Sequence, residues 1–208
     1  MPRKRNKSGK RQVNKKISIL CEGAKDKSES AYFKKLKNHY CFASREIEII
    51  IEDTKVNTGR ELVSKAIKLI DKAYKDIDEI WVVYDKDGYT QHQEAFRLAK
   101  SKNINIAFSS ISFEMWILLH FDYTSRPFAK SEDIISYLHK KYKFTYQKND
   151  SEIFSSIKNN IQQAIENAKK LDKFEKENNP NSPLYELNPY TDVYKLIEEI
   201  LKFQKGIR

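Results

Sequence analysis

Four short apolar runs, each followed by a stretch with helical spacing, constrain this chain more than any other feature. The first, KKISILCEG, ends in an acid and a glycine at Glu22 and Gly23 and reads as a buried strand meeting a turn. Ser28–Leu36 follows with apolar residues at helical intervals, and Ile47–Ile51 is a short β-branched strand. Thr58 through Tyr74 reads as an amphipathic helix with Leu62, Val63, Ala66, Leu69, Ile70 and Ala73 on one face. Thr58 is placed to cap it, with Glu61 three residues later. Glu79–Tyr84 is a third strand, residues 90–101 a third helix, and Ile104–Ser109 a fourth strand. Strands separated by helical segments imply a parallel sheet with helices on both faces. The expected fold is therefore an α/β core over residues 16–110 with four parallel strands. From residue 111 the character is helical: Ser112–Phe121, Ser131–Tyr142, Ser151–Phe174 and Thr191–Phe203.

Charge separates the first residues from this body. The formal charge is +10, but residues 1–16 hold eight Lys or Arg and no acid, leaving 31 basic against 29 acidic side chains. Such a segment, about residues 1–15, buries nothing and repels itself. Arg3, Lys4 and Arg5 lead it. It reads either as an arm that follows phosphates by displacing counterions or as a solubilising terminus. No apolar run approaches the roughly 18–20 residues that span a bilayer, and no secretory signal is evident. With only Cys21 and Cys41, a disulfide scaffold is excluded. A reducing cytoplasm fits best.

Three acids fall at strand ends. Glu22 closes the first strand, and Asp85 and Asp87 close the third. In open parallel sheets, ligands gather beyond the carboxyl ends of strands where connections diverge. With strand order 2-1-3-4 the three carboxylates converge. They repel one another unless a cation neutralises them. Hard oxygen ligands suit Mg²⁺ or Mn²⁺, and such ions hold phosphates. Alone, Glu22 reads as a turn or cap residue, and Asp85-x-Asp87-Gly88 is also a turn sequence. A calcium loop is disfavoured because Val83 stands at its first position. An aspartyl-phosphate motif is disfavoured because it belongs after the first strand, and Thr90 comes one place late. No Gly-rich Walker loop occurs.

Ile19-Leu20-Cys21-Glu22-Gly23, Ser28–Leu36 and Val82-Val83-Tyr84-Asp85-Lys86-Asp87 together resemble the Toprim domain of primases, topoisomerases and related nucleases. More narrowly, Phe113-Glu114-Met115-Trp116-Ile117-Leu118-Leu119-His120-Phe121 is similar to the "FELWLLLHF" run of the RloB family of Toprim-like phage-resistance proteins. Asn188-Pro189-Tyr190-Thr191-Asp192-Val193 resembles that family's closing Asn-Pro-x-Thr-x-Val element, and Tyr146-Gln147-Lys148 its Tyr-x-Lys. The resemblance covers about residues 16–203. Ser110-Ile111-Ser112 departs from it, standing where the family has Asn-Pro, and Ser112 is expected to cap the helix instead.

The resemblance implies metal-dependent hydrolysis of nucleic acid, DNA or transfer RNA, in defence against phage. Glu22, Asp85 and Asp87 would hold Mg²⁺ or Mn²⁺, with Glu114 the next catalytic candidate. It also implies a partner, an ABC-type ATPase resembling RloA. A homo-oligomer stays open and a membrane is not expected. A non-catalytic binding module and a phosphomonoesterase are the alternatives. Glu114 lies on a helix apolar all round and must meet a cation; Arg126 and Lys148 are candidates for an ion pair, and metal ligation is the other reading. Lys148, with Tyr146, would supply charge and orientation to a phosphate, or is one exposed lysine among many. His120 reads as a structural hydrogen-bonding group before a proton-transfer one. Asn188 and Thr191 read as capping the last helix, and the resemblance adds that they face the site. His39, His92 and His139 read as surface residues, and Cys21 as core.

Overall fold

The computed structural model describes residues 15–23, 28–41, 44, 46–52, 54–72, 77–86, 90–146, 150 and 152–204. The elements run β1 (Lys15–Cys21), α1 (Ser28–Cys41), β2 (Ile47–Glu52), α2 (Gly59–Lys72), β3 (Glu79–Asp85), α3 (His92–Ser101) and β4 (Asn105–Ser110). The helical part follows as α4 (Glu114–Leu119), α5 (Ser131–Tyr142), α6 (Ile153–Ile157) and α7 (Ile161–Asn178). A two-residue strand, β5 (Tyr190–Thr191), and α8 (Val193–Leu201) complete the order. The sheet order is β2-β1-β3-β4-β5, with β5 antiparallel and the other neighbours parallel. This is the α/β architecture expected, with β5 added at the edge. Two residues carry no periodicity, which is why β5 escapes a reading of the sequence.

Pleating sends successive strand residues to opposite faces, and both faces are covered. Leu20, Val82, Tyr84 and Phe108 meet Leu62, Val63, Ala66, Ala95 and Ala99 of α2 and α3. Ile17, Ile19, Cys21, Val83 and Ala107 meet α1 and the helical part in a second cluster that extends to Ile165, Ile197 and Ile200. The first crossover, through α1, therefore lies on one face, and the next two, through α2 and α3, on the other. The chain reverses direction across the sheet between β1 and β3. The crevice at the carboxyl ends of those two strands is where open sheets bind ligands.

Local signals work where the physics is local. Thr58 Oγ1 accepts the Glu61 amide at 3.2 Å, as its spacing predicts. The helix expected over Ser151–Phe174 is instead broken: a 3₁₀ turn over Lys158–Asn160 separates α6 from α7. Asn160 Nδ2 donates to the His120 carbonyl at 3.0 Å, and that distant bond holds the chain off the helical path. Ser112 does not cap α4. Phe113 stands at the N-cap without a side-chain bond, and the Ser112 hydroxyl is buried with no partner among the described residues. The last helix begins at Val193 rather than Thr191, because Thr191 belongs to β5. His92 is buried, not exposed; it stacks between Tyr84 and Tyr185 with centroids at 6.0 and 5.9 Å. His39 and His139 are exposed. Among the described residues no helix is long and apolar enough to cross a membrane.

Candidate functional site

Glu22 and Asp85 leave the sheet at its carboxyl edge from adjacent strands. Cys21 pairs with Val83, and the Glu22 amide donates to the Val83 carbonyl at 3.0 Å, so the register continues past β1. Glu22 thus stands beside Tyr84, one residue short of Asp85. A strand spacing of about 4.8 Å and a rise of about 3.3 Å put the Cα atoms of the two acids on the order of 6 Å apart. Both are half-buried. On the far side, Asp85 is level with Ser109 of β4. The Lys86 amide donates to the carbonyls of Ser109 and Ile111, at 3.0 and 3.2 Å, which anchors the chain just past Asp85. Asp87 itself lies outside the described residues, as do Lys148 and the basic Arg3, Lys4 and Arg5.

Helix α4 enters over this edge. The Phe113 amide donates to Asp85 Oδ2 at 3.3 Å, which ties the helix start to the acid. Glu114, next in sequence, is 4% exposed, and Tyr146 donates its hydroxyl to Glu114 Oε1 at 3.2 Å. Arg126 is not its partner. That guanidinium is exposed and lies 5.6 Å from the ring centroids of Phe128 and Tyr137. Tyr146 is therefore the described group that meets the charge which the apolar helix made conspicuous.

His120, at the other end of α4, is fully buried, and burial lowers its pKa to about 4. Its Nδ1 lies 3.0 Å from the Trp116 carbonyl. A carbonyl only accepts, so in the neutral ring Nδ1 carries the proton and Nε2 is an acceptor. Nε2, Trp116 Nε1 and the Tyr32 hydroxyl are all buried without a hydrogen-bond partner among the described residues. The rings adjoin, with His120 centred 4.9 Å from Trp116 and 6.3 Å from Tyr32.

The C-terminal element closes the edge from the β4 side. Thr191 Oγ1 lies 2.9 Å from Ser109 Oγ, beside the level of Asp85. Its contact with the Val193 amide is longer, 3.4 Å. Asn188 does not cap α8. Its amide clasps the Phe128 backbone, accepting at 3.3 Å and donating at 2.8 Å. That clasp ties the backbone at Phe128 to the segment that leads into β5.

Two acids escaped the sequence reading. Asp192, 3% exposed, accepts the Phe108 amide at 2.6 Å and pairs with Lys195 at 3.0 Å. Burial raises its pKa, and Lys195 and the amide offset this only in part. Asp172 accepts from Tyr190 at 2.8 Å and pairs with Lys176 at 2.7 Å. Burial pushes its pKa up, and the Lys176 and Tyr190 bonds more than reverse this. Asp192, in the Asn-Pro-x-Thr-x-Val segment, stood within a quoted motif, yet only the β4 pairing reveals its work. Tyr84 was read as a strand residue within the Toprim-like run and given no role of its own. Its pKa is raised by burial first, then by the negative charges of Asp192 and Glu22, so it lies within electrostatic reach of both acids.

The donor chemistry at the edge suits a hard divalent cation: two carboxylates, adjacent strands and partial exposure. It is incomplete, because among the described residues no group of three or more His, Cys, Asp or Glu is placed to hold a metal ion. The family model described as RloB-like protein matches residues 17–200. No curated protein and no solved structure matches the chain.

Proposed function

The chain belongs to the RloB-like protein family, and from that premise we propose that it is a metal-dependent phosphodiesterase that cuts nucleic acid, DNA or transfer RNA, in defence against phage. Family membership supports a Toprim-like protein associated with defence. One observation carries the finer reading: Glu22 and Asp85 end adjacent parallel strands at the crevice where the chain reverses, with the Phe113 amide held on Asp85.

Glu22 and Asp85, with Asp87, would hold Mg²⁺ or Mn²⁺. Bound there, the ion would polarise a phosphate and stabilise charge on the leaving oxygen. The chain's own residues orient this chemistry. Phe113 fixes one oxygen of Asp85, and Tyr146 holds Glu114 close behind the same helix start. His120 stays neutral at pH 7 and adds no positive charge to the helix. Arg3, Lys4 and Arg5 would draw in the polyanion, and Lys148 would meet a phosphate. An ABC-type ATPase partner would direct the activity.

The test is cleavage of plasmid and of total transfer RNA in Mg²⁺, Mn²⁺ and EDTA, with and without the ATPase. Wild type should cut in either metal and not in EDTA, and Glu22→Ala and Asp85→Ala should not cut. Cleavage surviving both substitutions would dismiss the site. Binding of either polymer with no cleavage, even with the ATPase present, would favour the non-catalytic binding module. Turnover of nitrophenyl phosphate alone would favour a phosphomonoesterase.

A further inference from the structure

Helix α5 and the segment just before it enclose a surface cavity of about 390 Å³, a size that takes a small ligand. Asp133, Ser136, Tyr137 and Lys140 line it from the helix. Steps of three, four and seven residues put those four side chains on one face of α5. Arg126 and Phe128 line it from the preceding segment. Asn188 holds the Phe128 backbone through both its N–H and its carbonyl, and stands two residues ahead of Tyr190, which pairs with Ser110 at the end of β4. Asp85 is level with Ser109, the residue before. Chain and strand dimensions therefore keep Phe128 within about 30 Å of Asp85.

The positive charges of this cavity are not neutralised. The Arg126 guanidinium lies over the Phe128 and Tyr137 rings, 5.6 Å from each centroid. It is exposed, and among the described residues its side chain makes no ion pair and no hydrogen bond. Ring contact holds the guanidinium in place and leaves its in-plane N–H donors available. Lys140 is likewise exposed and without an ion pair among the described residues, whereas its neighbour Lys141 is tied to Asp122 at 3.1 Å. Asp133 shares the lining with Arg126 but is not paired with it. The cavity therefore offers a flat cation backed by aromatic rings, a point cation, and a carboxylate. A run of peptide carboxylates would be repelled by Asp133. A nucleotide matches all three groups: its base has a flat face and N–H donors, and its phosphate is an anion.

We propose that this cavity takes one unpaired nucleotide of the nucleic acid, so that the chain selects single strands and looped-out bases over plain duplex. The base stacks on the Arg126 guanidinium, Asp133 accepts from a base N–H, and Lys140 meets the adjoining phosphate. Bases inside a duplex already stack on one another and present no free face, so a duplex does not fill the cavity. A strand of about ten nucleotides, at about 3.4 Å each, spans the distance to Asp85 even when fully stacked. The identity of the polymer rests on the function proposed above; this inference adds which form of it is held, and where.

The experiment uses the full chain in EDTA, so no cleavage is needed. A fluorescein-labelled single strand of about 20 nucleotides and the duplex of the same sequence are titrated by anisotropy. Arg126→Ala should weaken the single strand about tenfold, the effect of one lost base stack, and the duplex less than about twofold. Arg126→Lys keeps the charge and loses the flat face, so the single strand should stay at least about fivefold weaker than with wild type. Lys102→Ala removes a like charge at the opposite end of the sheet, before β4 begins, and should weaken either probe less than about twofold. Arg126 is exposed, so the melting temperature of its variants should move by less than about 4 °C. Equal losses for single strand and duplex, or full recovery in Arg126→Lys, would leave only diffuse charge and overturn the proposal. No binding of the single strand by wild type, or the same affinity in Arg126→Ala, would overturn it too. So would loss of ATPase binding in Arg126→Ala with the oligonucleotide unaffected, which would make the cavity a protein-docking surface. A chain that cuts while Arg126→Ala binds single strands as wild type does refutes the cavity alone. One that shows the expected binding but never cuts keeps the nucleotide site and removes the hydrolase.

Discussion

His120 should make the stability of this protein depend on pH in a way one substitution removes. The ring is fully buried, and burial brings its pKa from 6.5 to about 4. Between those values the unfolded chain binds a proton that the folded chain refuses, so stability falls as the pH falls. The full contribution is present above pH 6.5 and is lost on the way down through pH 4. With folded and unfolded pKa values of about 4 and 6.5, linkage gives a penalty of about 0.2 kcal/mol at pH 7 and about 2 kcal/mol at pH 5. Urea unfolding at pH 7 and at pH 5, for wild type and His120→Gln, isolates the effect. Carboxylates contribute alike to both proteins, and any fixed cost of losing the Trp116 contact cancels in the difference. Wild type should lose about 2 kcal/mol more than the variant between the two pH values. Parallel losses would mean that His120 is protonated without penalty, and the account of a neutral imidazole behind the site would be wrong.

Two further substitutions test the buried acids. Tyr146→Phe removes the hydroxyl that donates to Glu114 and should cost about 2 kcal/mol in urea unfolding; in a Glu114→Leu background the same change should cost under about 1 kcal/mol, so equal costs would show that the pair does not interact. Asp192→Ala strands the buried Phe108 amide and should cost about 1–3 kcal/mol, whereas Asp192→Asn keeps an acceptor, gives up only a pair with part-exposed Lys195, and should cost under about 1 kcal/mol; a costlier Asn variant would make the ion pair the dominant bond.

β1, β3 and β4 could be read from sequence because most of each is buried around an apolar run; β2, at the sheet edge with Glu48 exposed, was legible from its β-branched isoleucines. Their order was a condition of the sequence reading rather than a product of that pattern, and the structure supplies it, ending Glu22 and Asp85 on adjacent strands at one edge. Glu114 stood out because a charge in an apolar helix needs a partner; the sequence offered Arg126 or Lys148, of which Arg126 packs elsewhere and Lys148 lies outside the described residues, and the structure places the Tyr146 hydroxyl on it. His92 was misjudged for a physical reason: its neighbours in sequence are polar, and its burial comes from Tyr84 and Tyr185, which arrive through the fold. Asp172 and Tyr190 were hidden likewise, since nothing local marks a carboxylate that will meet a phenol 18 residues away. Gly59 drew no reading from the sequence, and only the Tyr84 ring beneath it gives that position a reason.

β5 has a consequence for how the molecule is made. Thr191 and Tyr190 cover the outer edge of β4 at Ser109 and Ser110, and Asp192 holds the Phe108 amide just below. These pairings span more than eighty residues of chain, so the far side of the crevice stays open during synthesis until the segment through α8 has emerged. The outer edge of β4 is thus covered only once residues 190–192 have been made.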